Sequence, residues 1–165
     1  MFEANAPDGR KTAMRIYLSA GGRGKATGLP EGADAKKQAV GDGRKSAAGA
    51  AVHWGDPAQA GHTLLCEGIE TAAALAHVYG EQIGAGDLAV AAALNANGVA
   101  AYPPQTAGVC VCADRDEGSE KHTYAGEKAA HTFAQRNPNT QATVALPGQP
   151  GEKWDFLDLL NAEGA

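Results

Sequence analysis

Two acidic motifs have the residue types and the spacing of a divalent-cation site. Glu67 ends the apolar run at residues 62–66, and Asp114 and Asp116 follow a second apolar run at residues 108–113. In an extended chain, residues i and i+2 share a face, so the two aspartates can converge on one cation. Carboxylate oxygens are the ligands that Mg²⁺ prefers. At an effective dielectric constant near 20, two unit charges 4 Å apart repel by about 4 kcal/mol, so a bound cation would stabilise such a cluster.

The elements that must position these acids follow from the alternation of strands and helices. We predict strands at 62–67, 88–93, 108–113 and 141–146, each followed by a helix, at 69–79, near 97–101, at 124–136 and near 155–161. This alternation is typical of a mostly parallel sheet with helices on both faces. Ligands bind such sheets in the crevice beyond the carboxyl ends of the strands, so Glu67 should lie beside the two aspartates. Gly68 is expected to permit a sharp turn and a close approach.

The first sixty residues have a different pattern. Strands are predicted at 12–19 and 49–54, and the polar, glycine-rich segment 28–48 between them reads as a long loop. The two strands could pair as a small antiparallel extension of the sheet. We therefore divide the chain into a basic N-terminal β extension with a mobile loop, 1–60, and a catalytic domain, 61–165.

Three motifs in order resemble the Toprim domain of phage and plasmid primases. They are Cys-Glu67-Gly-Ile-Glu-Thr-Ala, then Ala-Asp114-Arg-Asp116 with Gly126-Glu-Lys-Ala-Ala, then Trp-Asp155-Phe-Leu-Asp158. The resemblance covers roughly residues 61–160 and implies a Toprim, Rossmann-like α/β fold. It further implies that Glu67 acts as general acid or base, that Asp114 and Asp116 bind Mg²⁺ or Mn²⁺, and that Asp155 and Asp158 contribute to a second metal.

Each acidic motif also has a plainer interpretation. Asp114 and Asp116 could belong to a solvated loop before a helix. Asp155 could be a helix N-cap, with Asp158 as an ordinary first-turn acid. An EF-hand is excluded, because its twelfth position, which needs a glutamate, would be Ala125.

Charge is distributed unevenly along the chain. Residues 1–60 hold nine Lys or Arg against six acids, whereas residues 61–165 hold five against thirteen. Phosphate contacts are therefore expected mainly from the first segment. The predicted nucleic-acid or nucleotide contacts are Arg15, Arg23, Lys25 and Lys153, with ordinary surface solvation as the alternative.

The cysteine positions and the lack of a long apolar run argue against several classes of protein. Cys66, Cys110 and Cys112 fall inside predicted strands at no zinc-ligand spacing, so we interpret them as small core residues. No apolar run approaches the ~20 residues of a membrane span, and no secretory signal is recognisable. The expected compartment is cytoplasmic, with no membrane partner.

The resemblance implies a DNA primase that makes RNA primers by magnesium-dependent nucleotidyl transfer during replication of a phage, plasmid or other mobile element. Its expected partners are a single-stranded DNA template, ribonucleotides, and a replicative helicase or further primase domains. A zinc ribbon and a helicase motor are not recognisable here, so we expect a fragment or a reduced stand-alone form. A Toprim nuclease and a non-catalytic DNA-binding or docking module remain alternatives.

Overall fold

The computed structural model describes residues 1–17, 26–31, 33–40, 48–115, 125–149 and 152–163, with the side chains of 37–40 and 163 outside that description. The chain begins with a three-stranded antiparallel sheet of β1 (Phe2–Asn5), β2 (Lys11–Ile16) and β3 (Lys36–Val40), in that spatial order. Thr12 and Met14 on β2 alternate with more exposed neighbours and face the core. One side of this sheet is therefore buried.

The second sheet has five strands in the spatial order β4-β6-β5-β7-β8. Pairing is parallel except at β4, which is antiparallel to β6. The strands are β4 (Val52–Trp54), β5 (His62–Cys66), β6 (Leu88–Ala92), β7 (Gly108–Cys112) and β8 (Gln141–Ala145). The helices are α1 (Ile69–Val78), α2 (Gly80–Ala85), α3 (Ala96–Ala101), α4 (Ala125–Arg136) and α5 (Phe156–Glu163). The predicted α/β fold, a mostly parallel sheet with a small N-terminal antiparallel extension, is confirmed.

Helices cover both faces of the five-stranded sheet because its strands are apolar on both sides. On one face, Cys66 and Val90 pack with Ile69 and Leu75 of α1, and with Met14 of the N-terminal sheet. On the opposite face, the second apolar cluster is formed by Leu65, Val109, Val111, Val99, Ala130 and Phe133. Alanine at many of these positions keeps the layers close together, in agreement with the low aromatic content.

Several predicted elements differ from the observed ones. Segment 28–48 is not a continuous loop, because β3 lies within it and pairs with β2. Residues 52–54 do not pair with the first predicted strand; β4 instead forms the edge of the five-stranded sheet beside β6. Helix α2 and strand β1 were not predicted at all. These elements are short and polar, and tertiary pairing decides them.

None of the helices in the described part of the chain is both long and apolar enough to cross a membrane. The division at residue 60 stays a prediction.

Candidate functional site

Glu67 and Asp114 follow the two adjacent central strands, β5 and β7. These strands are parallel and in register, with Cys66 opposite Cys112. The helix after β5, α1, packs on one face of the sheet, and the helix after β7, α4, packs on the other. Connections that leave neighbouring strands toward opposite faces open a crevice between them, the usual ligand site of such sheets. The structure thus places both predicted acids at the topological switch point.

Asp114 is held by the first turn of α1. The Thr71 hydroxyl donates a hydrogen bond to Asp114 Oδ1 at 3.2 Å, and the Thr71 side chain is only 2% exposed. The positive end of the α1 dipole favours a carboxylate at this place. Sequence reasoning missed Thr71, although a hydroxyl within an alanine-rich helix turn, four residues after Glu67, was a usable signal.

The start of α4 comes close to the backbone of the same acid. A Cβ at Gly126 would lie 3.1 Å from Ala113 Cβ and 3.2 Å from the Asp114 carbonyl oxygen. Only glycine fits there without displacing its neighbours, which explains the glycine of the second motif. Asp116 lies outside the described residues.

The third acidic motif reaches the site through the backbone. The Arg115 N–H donates to the Trp154 carbonyl at 2.8 Å, and the Trp154 N–H donates back at 3.2 Å. The Arg115 guanidinium meanwhile turns aside, its Nε donating to the Pro147 carbonyl at 2.7 Å. Trp154, the residue before Asp155, is therefore paired with Arg115, the residue after Asp114.

Asp155 and Asp158 form a reciprocal cap at the start of α5. The Asp158 N–H donates to Asp155 Oδ1 at 2.8 Å, and the Asp155 N–H donates to Asp158 Oδ2 at 3.1 Å. This is the capping-box arrangement, with aspartates in both roles. The N-cap interpretation of Asp155 is therefore realised, and the metal-binding role of both residues stays a prediction.

The prediction that Gly68 permits a sharp turn and a close approach is wrong. Its backbone is extended, with φ −92° and ψ 149°, which any residue can adopt. A Cβ there would make ordinary contacts, 3.6 Å from Thr71 Oγ1 and 3.7 Å from Glu70 Oε2. The turn after β5 thus does not require glycine on conformational grounds.

Glu70 joins α1 to the N-terminal sheet. Its Oε2 lies 3.3 Å from Lys36 Nζ, and the two side chains are 26% and 28% exposed. Since Glu70 lies one turn from Glu67, this ion pair is a contact between β3 and the helix that follows Glu67.

Of the predicted basic residues, the structure describes Arg15 and Lys153. Arg15 lies on β2 with its guanidinium carbon 4.6 Å from the centre of the Tyr17 ring, and Tyr17 is 41% exposed. Lys153 is exposed just before α5. Arg23 and Lys25 lie outside the described residues. Tyr17 was not singled out from the sequence, although an arginine and an aromatic residue two positions apart on a strand share a face.

The cysteines and Asn95 have structural roles. Cys66 and Cys112 are buried and free, and a hydrogen bond with Cys112 together with burial raises the pKa of the Cys110 thiol. Asn95 caps α3 by accepting the Gly98 N–H at 2.9 Å.

A separate cleft of about 330 Å³ lies where β4 ends, and it is lined in part by Asn5, His53, Asp56 and Gln105. Because β4 is antiparallel, its end lies at the amino edge of the parallel strands, away from Glu67 and Asp114. His53 lines this cleft, and its Nε2 lies 3.3 Å from the hydroxyl of the buried Tyr102.

The donor set at the crevice suits a hard cation. Glu67 and Asp114 offer carboxylate oxygens, and Mg²⁺ commonly uses one or two carboxylates, completing its shell with water and phosphate oxygens. Among the described residues, no three His, Cys, Asp or Glu side chains group closely enough to hold a metal ion. Asp116 is outside that set.

The fold and the site define an α/β domain with carboxylates at the switch point of a mostly parallel sheet. The chain belongs to the Toprim family, since the family model described as Toprim domain matches residues 62–165. No curated protein and no solved structure matches the chain. Toprim domains are typically found in enzymes that act on nucleic acids, and they bind divalent metal ions, usually Mg²⁺.

Proposed function

We propose that this chain is the catalytic domain of a Toprim-type DNA primase, which joins ribonucleotides on a single-stranded DNA template during replication of a phage, plasmid or mobile element. The observation that carries the proposal is the placement of Glu67 and Asp114 just after two adjacent parallel strands, at the switch point. Metal-assisted phosphoryl transfer needs groups that hold the cation, and two carboxylates from separate elements at one edge of the sheet support the proposal.

In this proposal, Asp114, Asp116 and Asp155 hold Mg²⁺ or Mn²⁺, with Asp158 as a further contributor. A bound Mg²⁺ neutralises phosphate charge and orients the reacting oxygens. Glu67 accepts the proton of the attacking hydroxyl as general base, for which its half-buried position after β5 leaves a route to substrate.

The Arg15–Tyr17 pair supports contact with single-stranded nucleic acid. An exposed aromatic ring beside a cation can stack a base while the cation meets a phosphate. Both residues lie on or next to β2, whose sheet is joined to α1 by the Lys36–Glu70 ion pair. A template bound here would lie on the sheet that this ion pair joins to the first turn of α1.

The test is one gel with two substrates. Labelled ribonucleotides with unlabelled single-stranded DNA report extension, and end-labelled DNA reports cleavage, each with Mg²⁺ or Mn²⁺. We expect template-dependent products from the wild type and none from Glu67→Gln. Glu81→Gln is the matched control, because Glu81 is an exposed acid on α2, beyond the far end of α1.

Three results would contradict primer synthesis by this chain. Shortened end-labelled DNA that depends on Glu67 would establish the nuclease alternative. Salt-sensitive DNA binding that ignores Glu67→Gln, with both lanes blank, would establish the docking module. Products that appear only when a helicase or further primase domains are added would assign the activity to the assembly.

A further inference from the structure

Thr71 is a buried hydroxyl that faces the candidate cation site without any role assigned from its sequence. It lies in the first turn of α1, is 2% exposed, and donates to Asp114 Oδ1 at 3.2 Å. The two residues are 43 positions apart and come from different elements. Their hydrogen bond therefore ties α1 to the end of β7 across the crevice.

The usual use of a helical threonine hydroxyl is different. It commonly donates back to the carbonyl four residues earlier, which here would be that of Glu67. A hydroxyl has one proton to donate, and in this structure that proton goes to the carboxylate. Because threonine is branched at Cβ and its χ1 is restricted in a helix, it is a stiffer anchor than a serine would be.

The bond matters because each hydrogen bond to an aspartate carboxylate narrows the range of directions in which it can point. Rotation about χ2 of Asp is broad, so an unanchored carboxylate samples many directions. A carboxylate has about four lone-pair sites, so accepting from Thr71 is compatible with binding a cation through the same group. Partners that orient a metal-binding carboxylate commonly change metal affinity by 10–100-fold when removed.

From this geometry we infer that Thr71 is a positioning residue, which sets the direction of the Asp114 carboxylate for the divalent cation. The inference rests on the proposed function only in requiring that a cation binds at Asp114. It concerns metal affinity, so it holds whether the reaction is synthesis or cleavage.

The test is Mn²⁺ binding to the full chain. Electron paramagnetic resonance of the free ion measures the affinity. Thr71→Val keeps the shape and removes the donor, and we expect it to weaken Mn²⁺ binding about 10-fold or more. Thr71→Ser restores the hydroxyl, and we expect affinity within about threefold of the wild type because the donor is retained.

Thr63→Val is the matched control. Thr63 is an equally buried threonine, 1% exposed, whose hydroxyl lies 3.3 Å from that of Thr106 near the start of β5. Its loss removes a buried hydroxyl contact at the opposite end of the sheet and should leave Mn²⁺ affinity unchanged. If Thr71→Val fails to fold, Thr71→Cys provides a variant of similar size with a weak donor, and an intermediate affinity is expected.

The outcomes separate two failures. If the wild type binds Mn²⁺ and Thr71→Val binds it equally well, the positioning role is overturned and the metal site stands. If the wild type binds no Mn²⁺, both the metal site and the inference about Thr71 are wrong. Equal weakening by Thr63→Val and Thr71→Val would reduce Thr71 to a general contributor to stability, which also overturns the inference.

Discussion

Arg115 and Trp154 are joined by two backbone hydrogen bonds, of 2.8 and 3.2 Å, although 39 positions separate them in the chain. This isolated antiparallel bridge brings the segment after β7 to the segment before α5. It joins the second and third acidic motifs, whereas the first motif lies beside the second because β5 pairs with β7. Predictions about the site therefore concern both the acids and the backbone that brings them together.

Asp114→Asn should abolish the rise in melting temperature that Mg²⁺ causes in the wild type. The amide keeps the size of the side chain but loses the negative charge that attracts a hard cation. The measurement is thermal unfolding with EDTA and with Mg²⁺. An unchanged shift would remove Asp114 from the metal site.

Two substitutions at Asp155 separate its cap from its predicted metal role. Asparagine caps a helix about as well as aspartate, so Asp155→Asn should keep the free energy of unfolding in EDTA within about 0.5 kcal/mol, whereas Asp155→Ala should lose about 1 kcal/mol. If Asp155 also binds a cation, Asp155→Asn should still weaken Mn²⁺ binding. Unchanged Mn²⁺ affinity would show that Asp155 caps α5 and does not bind the cation.

Gly148→Ala should destabilise the fold more than Gly86→Ala. Both glycines have positive φ, +64° and +83°, and alanine in that region costs about 1–2 kcal/mol. Around Gly86 nothing lies within 4 Å, but a Cβ at Gly148 would lie 2.8 Å from Trp154 Cγ. We expect roughly 1–3 kcal/mol more at Gly148, from crowding against the bridge to Arg115. Urea unfolding measures both, and equal losses would contradict the contact.

His53→Gln should make stability less sensitive to mild acid. Burial lowers the pKa of His53, an effect that Asp56 partly opposes. The unfolded chain takes up a proton at this histidine near pH 6.5 while the folded protein resists it, so stability is full above that pH and falls as the pH drops below it. Between pH 7.5 and 5.5, the wild type should lose more free energy of unfolding than His53→Gln. The exposed His131→Gln is the control, and identical slopes for wild type and His53→Gln would contradict the prediction.

Tyr17→Ala should weaken binding of labelled single-stranded DNA by about fivefold or more, because stacking of one base contributes about 1–3 kcal/mol. Tyr17→Phe keeps the ring and should bind like the wild type. Tyr79→Ala is the matched control, since Tyr79 is similarly exposed, at 37%, but lies beyond α1 at the far end of the helix. Fluorescence anisotropy at two salt concentrations gives the affinities. Equal losses for Tyr17 and Tyr79 would exclude a stacking role.

The amino-acid sequence by itself determined the parallel core and the position of its acids. Apolar strands of five residues alternate with helix-forming segments, so β5 to β8 and the helices α1, α3, α4 and α5 were predictable to within two residues. Glu67 and Asp114 follow directly from that pattern, because a residue after a parallel strand can only lie at the carboxyl edge.

Tertiary structure alone decided what lies around this core. Strand β3 is polar in sequence and becomes a strand because β2 offers it hydrogen-bond partners, and β4 joins the larger sheet because β6 has an open edge. The Thr71–Asp114 hydrogen bond and the Arg115–Trp154 bridge each join positions about forty residues apart. Local propensity cannot encode such contacts, since they form only when separate elements pack together.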